Sequence, residues 1–287
     1  MTRVTVTGAA GLLGRAVVRE LVGAGYDVAA IDRRAPADAD ARAALAGAKV
    51  HELDLFRRAR LDRALEGSAA VVHLAAFPSP LGRAPETVFR NNTGATFVVL
   101  EAAARAGART AILASSTSAL GMTYAPQPFS PDYVPIDEEH RALPVDPYAL
   151  SKLVDEQTGA MMHRRTGMTV LAFRFHWITS LAEAADAARA TATDPGRYAS
   201  ELWGYVDSRD AAAACRLGLE SSGLGFEVLN IAASDSLASD GTAALVRRFH
   251  PTTRVGKELS GSASAWSTRR ARAIIGFEPR YSWREAA

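Results

Sequence analysis

Arg3-Val-Thr-Val-Thr-Gly8-Ala-Ala-Gly11-Leu-Leu-Gly14-Arg-Ala-Val-Val18 is the stretch whose reading decides the fold. A β-branched apolar run ends at Thr7, glycines follow at 8, 11 and 14, and an apolar pattern at helical spacing begins behind them. Strand, tight turn and helix in that order make the seat of a dinucleotide pyrophosphate. Gly8 would permit the sharp turn, Gly11 would let backbone approach the phosphates, and Gly14 would let the helix lie close to the strand. The helix N-terminus, with Ala10, Gly11, Leu12 and Leu13 around it, would supply free N–H donors and a partial positive charge. The next apolar run, Tyr26-Asp-Val-Ala-Ala-Ile31, ends at Asp32, about where a ribose-binding carboxylate belongs.

Outward from that unit, short apolar runs alternate with amphipathic stretches. Strands are expected at 3–7, 27–32, 48–53, 70–75, 109–115 and 169–175, and helices at about 12–24, 57–66, 85–106 and 147–166. This alternation predicts an α/β fold, a Rossmann-type doubly wound parallel sheet with ligands at the carboxyl ends of its strands. Residues 1–175, joined by 206–232, are expected to form the nucleotide-binding domain. Residues 176–205 and 233–287 are expected to form a small substrate lobe, with a helix at 208–221, a strand at Phe226–Ile231 and a short helix from Trp266 to Phe277 ended by Gly276.

The totals exclude several classes. A chain of 287 residues with net charge +2 and no run of Lys and Arg does not suggest nucleic acid as a partner. No apolar segment is long enough to cross a bilayer, and a strand starting at residue 3 leaves no room for a signal peptide. The single cysteine, Cys215, forbids an internal disulfide and points to a reducing, cytoplasmic setting. It reads as a small core residue. The six histidines lack metal-ligand spacing, so no metal is expected.

The remaining motifs fall at strand ends. Asp54 and Leu55 follow the third strand; the carboxylate would meet the adenine edge of a cofactor or cap a helix. His73-Leu74-Ala75-Ala76 ends the fourth, with small residues against which a ribose or pyrophosphate could lie, while His73 packs internally. Asn91 sits in the helix that follows, either buried and bridging backbone across the site or on the surface. The fifth strand runs into Ser115-Ser116-Thr117-Ser118, four hydroxyls able to hold a substrate oxygen. A Pro-rich connection from Tyr124 to Pro147 is long enough to be an ordered loop over the site. Then Tyr148 and Lys152 stand at i and i+4 on one helix face. An ammonium beside a phenol favours the phenolate, which suits general acid–base work between a hydroxyl and a carbonyl.

Together these residues resemble the short-chain dehydrogenase/reductase superfamily, in its extended, epimerase/dehydratase-like branch. The matching features are Thr7-Gly8-x-x-Gly11-x-x-Gly14, Asp32, Asp54-Leu55, His73-Leu-Ala-Ala, Asn91-x-x-Gly94 and Ser115-Ser116. Pro135-Ile-Asp137-Glu138, Pro147-Tyr148-x-x-Ser151-Lys152, Phe173-Arg174 and Tyr205-Val-Asp207-x-x-Asp210 complete them, covering residues 1 to about 215. The resemblance implies an enzyme with a nicotinamide cofactor and a Ser116–Tyr148–Lys152 mechanism. Ser116 would hold the reacting oxygen, Tyr148 would exchange its proton, and Lys152 would bind the nicotinamide ribose and favour the phenolate. Asp32 favours NAD; Arg33 and Arg34 behind it could receive the extra phosphate of NADP.

Thr117-Ser118 stands where the branch's dehydratases carry an Asp-Glu pair, which argues against elimination. The short chain and Trp203-Gly204 before Tyr205 argue against a nucleotide grip. In outline the chain looks like uronate dehydrogenases, with Arg197 in the place of the arginine that holds the sugar carboxylate, or else a surface residue. Ser79, Thr117, Ser118, His176 and Trp177 are the other expected substrate contacts. Phe77-Pro-Ser79-Pro and His176-Trp177 are more apolar than that family's pattern. The alternatives are therefore an NAD-retaining epimerase, a ketoreductase for a less polar substrate and, most remotely, a non-catalytic dinucleotide sensor. Relatives often dimerise through the helices at 85–106 and 147–166, so a homodimer is expected.

Overall fold

The structure, a computed structural model, describes residues 1–34, 36 and 38–285. Its first half runs β1 (Arg3–Thr7), α1 (Leu12–Gly23), β2 (Asp27–Asp32), α2 (Ala39–Ala44), β3 (Lys49–Glu52), α3 (Arg58–Leu65), β4 (Ala70–His73), α4 (Pro85–Arg105) and β5 (Thr110–Ser116). Then come β6 (Tyr133–Val134), α5 (Pro147–Thr166), β7 (Thr169–Phe175), β8 (Ile178–Thr179), α6 (Leu181–Thr193) and β9 (Val206–Asp207). The chain closes with α7 (Ser208–Glu220), β10 (Phe226–Ile231), α8 (Thr242–Phe249), β11 (Arg254–Val255) and α9 (Arg269–Ile275).

Seven strands form one parallel sheet in the order β10-β7-β5-β4-β1-β2-β3. The chain steps outward from β1 to β3 and then crosses back to place β4 on the other side of β1. The switch point therefore lies between β1 and β4, where a crevice opens at the carboxyl ends. Both faces are covered, which is why the strands read as continuous apolar runs. On one face Val4, Val6, Val72, Ile112 and Phe173 pack against α1 and α7; on the other Ile31, Val71, Leu113 and Val170 pack against α3, α4 and α5. Cys215 is buried in the first of these cores.

Local chemistry sets the helix ends that matter. Asp146 caps α5, its carboxylate accepting from the Tyr148 and Ala149 N–H groups at 2.9 Å each, with Pro147 in the first turn. Helix α6 has no counterpart among the expected elements, although Ser180 and Glu183 form a reciprocal capping box at its start. The helix expected from Trp266 begins instead at Arg269. Residues 265–267 stay extended because Ile136 donates to the Ala265 carbonyl and accepts from the Ser267 N–H.

A third core lies beyond the sheet and is centred on Trp203, Tyr205, Leu237 and Trp266. The division of the chain by core departs from the expected one at two places. Leu120, Met122, Val134 and Ile136 join this third core, whereas Ala271, Ile275 and Phe277 pack back against the sheet. The Pro-rich connection is ordered as expected, but only its start approaches the crevice. Its middle pairs β6 with β11 in the lobe. No helix among the described residues is long and apolar enough to cross a membrane.

Candidate active site

A cavity of about 950 Å³ fills the crevice at the strand ends. Its nucleotide half begins at the β1–α1 turn. Gly8 has φ +71, and a Cβ there would stand 2.7 Å from the Ala75 backbone nitrogen. A Cβ on Gly14 would stand 2.1 Å from the Gly8 carbonyl oxygen, so the helix packs on the turn as only glycine allows. Gly11 is the N-cap of α1 and brings no capping side chain, which leaves the first N–H groups to a ligand. The Asp32 carboxylate accepts the Ala10 N–H at 3.0 Å and faces the cavity beside Arg33 and Arg34. Asp54 accepts the Phe56 N–H at 3.0 Å and holds a turn ahead of α3, whose N-cap is Arg57. The Phe77 ring lies 5.8 Å from the Arg33 guanidinium and 4.2 Å from that of Arg83.

The expected catalytic residues Ser116, Tyr148 and Lys152 share the cavity wall although Ser116 and Lys152 are 36 positions apart in the chain. Lys152 Nζ donates to the Ala114 carbonyl at 2.7 Å, lies 3.6 Å from the buried Asp155 carboxylate, and stands 5.5 Å from the centroid of the Tyr148 ring. Ser116 Oγ accepts the Ser118 N–H at 3.0 Å, so its own proton is free for a group in the cavity. Strand alternation turns Ser115 the other way, where it donates to Glu156 at 2.6 Å beside the Arg174 guanidinium. Burial and the Lys152 charge push the His73 pKa down to about 3, and its ring is bonded to Thr7 Oγ1 at 2.7 Å. His73 is an internal packing residue.

The asparagine that bridges the site is Asn92, with Asn91 beside it on the cavity wall. Asn92 Oδ1 accepts the Phe77 N–H at 2.8 Å, and Nδ2 donates to the Phe77 carbonyl and to Ser151 Oγ at 3.1 and 3.2 Å. Ser151 in turn donates to the Tyr148 carbonyl at 2.7 Å. The β4 loop is thereby tied to α5. The helical phase decides between the neighbours: Val88, Asn92, Ala95 and Val99 face inward.

The far end of the cavity is aromatic. Trp177 and Tyr198 stack at 6.1 Å with their rings 13° apart, and Tyr124 meets Tyr148 edge to face at 6.3 Å. Burial first, then the nearby Tyr148, Glu201 and Asp146, push the Tyr124 pKa up to about 12. His176 Nδ1 accepts the Trp177 N–H at 2.7 Å, so the proton sits on Nε2, which donates to the Glu201 carbonyl at 3.0 Å. Both nitrogens are thus used within the wall, and burial pushes the pKa down to about 4.

All the expected cofactor residues line the cavity except Ala10, which reaches it through Asp32. Thr117, Ser118, His176 and Trp177 also line it; Ser79 and Arg197 do not. Arg197, the expected carboxylate grip, lies off the lining. It is exposed, with the guanidinium 5.7 Å from the centroid of the Tyr198 ring. Ser79 instead accepts the Leu81 N–H at 3.3 Å in an exposed turn. Tyr124, Tyr198 and Glu201 were not expected. They lie in segments with no periodic pattern, and only the fold brings them to the strand ends.

The NAD dependent epimerase/dehydratase family model matches residues 4–232. L-arabinose 1-dehydrogenase (NAD(P)(+)) of Haloferax volcanii is 30% identical over 230 residues, which are 77% of this chain and 84% of that protein. UDP-glucose 4-epimerase of Rhizobium leguminosarum bv. trifolii is 31% identical over 159 residues, 54% of this chain and 45% of the epimerase, so the match spans less than half of that relative. Among solved structures, MoeE5 in complex with UDP-glucuronic acid and NAD superposes with a TM-score of 0.73 at 27% identity, covering 99% of this chain and 95% of that one.

Proposed function

The chain belongs to the NAD dependent epimerase/dehydratase family of extended short-chain dehydrogenases/reductases, and from that premise we propose that it oxidises or reduces a sugar at one carbon, as a net dehydrogenase. The observation that carries this reading is the meeting of Ser116, Tyr148 and Lys152 on one cavity wall beside the glycine turn. The arabinose dehydrogenase relative, matched over most of its length, supports net redox on a free sugar.

When bound, NAD accepts or returns a hydride. The uncapped N-terminus of α1 and the close backbone at Gly8 and Ala75 fit its pyrophosphate, and Asp32 fits the two hydroxyls of its ribose while repelling a 2′-phosphate. Ser116, with its proton free, holds the reacting oxygen of the substrate. Tyr148 takes the hydroxyl proton in the oxidising direction and gives it back in the other. Lys152, seated by the Ala114 carbonyl, would bind the nicotinamide ribose and places a positive charge beside the Tyr148 ring. The sheet with α1 to α5 and α7 acts as the nucleotide-binding part; the core around Trp203 and Trp266 acts as the substrate part. Arg197 has no place in this mechanism, so a uronate as substrate loses the residue that suggested it. A homodimer through α4 and α5 fits the exposed Phe97 and Leu150 on those helices, 45% and 44% accessible.

The test is the absorbance of reduced nicotinamide when pure protein meets NAD and a panel of aldoses. Turnover is expected, and Tyr148→Phe should lower kcat by about 10²–10⁴-fold while NAD affinity holds. No absorbance change with any sugar would overturn net redox. The second reading is an epimerase that keeps its NAD, supported by the UDP-glucose 4-epimerase relatives and the nucleotide-sugar complex of MoeE5. It predicts NAD that copurifies and sugar interconversion without net absorbance.

A further inference from the structure

On the β5–β7 side of the cavity the lining charges are Lys152 and Glu201; Asp32, Arg33, Arg34, Asp54 and Arg83 stand on the β2–β4 side. Lys152 is already held by Ala114 and Asp155. Glu201 has no cation within ion-pair distance among the described residues, and its carboxylate accepts only from short local partners, the Ser200 hydroxyl at 2.8 Å being one. Burial pushes its pKa up, the mark of a carboxyl kept from bulk water without a compensating charge.

The backbone that delivers it is built tightly. Glu201 ends a short 3-10 turn, and the next two residues, Leu202 and Trp203, both take left-handed conformations with φ 53 and 55. Side-chain-bearing residues held there are strained, and the strain persists only where the surroundings over-determine it. Here they do. The Glu201 carbonyl accepts from His176 Nε2 and from Trp266 Nε1 at 3.0 and 3.3 Å. Gly204 cannot carry a side chain, since a Cβ would stand 2.6 Å from the His176 ring. Trp203 is buried in the lobe core and donates to the Pro195 carbonyl at 2.8 Å. Trp177 and Tyr198, stacked on each other, line the same end of the cavity. An aromatic face against the C–H side of a ring and a carboxylate accepting its hydroxyls form a sugar seat.

We propose that Glu201 makes this seat selective for charge, taking sugar rings that are neutral or carry an amino group and rejecting those that carry a carboxylate. This rests on the sugar reading above and sharpens it. A carboxylate-bearing ring would face Glu201 with Lys152 as the lining cation of that side, itself already held by Ala114 and Asp155, and like charges repel.

Three rings matched in shape test the assignment: galactose, galactosamine and galacturonate, titrated by ligand-observed NMR into protein saturated with NAD. Galactose and galactosamine should bind about tenfold or more tightly than galacturonate. Glu201→Gln should shrink that ratio to within about threefold, with NAD affinity unchanged. Galacturonate binding as well as galactose, a ratio that Glu201→Gln leaves in place, or no binding of any of the three would each overturn the proposal. Reduced-nicotinamide absorbance, recorded on the same samples, separates the two claims. Turnover with an unchanged ratio sinks the charge selection alone. A Glu201-dependent ratio without turnover sinks net redox alone.

Discussion

Gly14→Ala and Gly23→Ala place the same methyl group on the same helix and should have opposite effects. At Gly14 the new Cβ would lie 2.1 Å from the Gly8 oxygen and 2.7 Å from Ala9 Cα, both backbone atoms of the turn that would meet the cofactor. Ordinary contact begins near 3.4 Å, so helix and turn must part by roughly 1 Å. Overpacking of this kind costs about 1–3 kcal/mol, and here the displaced atoms are those that would cradle the pyrophosphate. At Gly23, exposed in the last turn of α1, the Cβ meets nothing within 4 Å. Alanine there should stabilise by about 0.4–1 kcal/mol, through helix propensity and a less flexible unfolded chain. Urea unfolding and NAD titration followed by protein fluorescence read both effects. Gly14→Ala should lower stability and weaken NAD by about tenfold or more, a loss of roughly 1.4 kcal/mol. Gly23→Ala should raise stability and leave NAD alone. Full NAD affinity in Gly14→Ala would refute the claim that the turn is the cofactor's seat.

Lys152→Met should cost about 3–5 kcal/mol in urea unfolding, because Asp155 is then a buried carboxylate without its ammonium. Adding Asp155→Asn should restore much of that stability without restoring turnover; restored turnover would count against a chemical role for Lys152. Asn92→Ala removes the two bonds to Phe77 and the one to Ser151, and should destabilise by about 2–4 kcal/mol. It should also lower kcat by loosening α5 under Tyr148, and an unaltered melting temperature would count against the bridge. Acid should weaken the fold through His73 and His176, whose pKa values are pushed down to about 3 and about 4 from an ordinary 6.5. Below pH 6.5 the unfolded chain binds protons that the folded chain refuses. The stability they contribute is therefore complete above pH 6.5 and is lost as pH falls toward those values. At pH 5 each accounts for about 2 kcal/mol of lost stability, and the raised carboxyls of Asp155 and Asp210 act in the opposite direction. His176→Gln should flatten the pH 8 to pH 5 slope by about that amount, and an equal slope in the variant would sink the assignment.

Much of the nucleotide half was legible because its chemistry is local. A strand, three glycines and a helix within 16 residues dictate their own turn, and Asp32 follows at the end of the adjacent parallel strand. Tyr148 and Lys152 were legible for the same reason, since i and i+4 meet on any helix. The bridging role left open for Asn91 falls to its neighbour Asn92, about 100° further in helical phase, and that is settled only by which face α4 packs. Helix α6 went unseen although its capping box was in view, because Ala-rich apolar spacing points to no single face.

The far end of the cavity was beyond sequence reading. Arg197 and Glu201 are four residues apart, both polar, both in a segment without periodicity, and only the family resemblance singled out Arg197. The lobe decides between them. His176 fills the space over Gly204, Trp203 is buried in the lobe core, and beside this left-handed pair Glu201 lines the cavity while Arg197 is exposed. By itself the sequence determined the sheet, the dinucleotide turn and the Tyr148–Lys152 pair, because each rests on contacts between near neighbours or on repeated hydrophobic spacing. The lining of the substrate end was decided only in the tertiary structure, because it depends on packing between segments far apart in the chain, which no local pattern encodes.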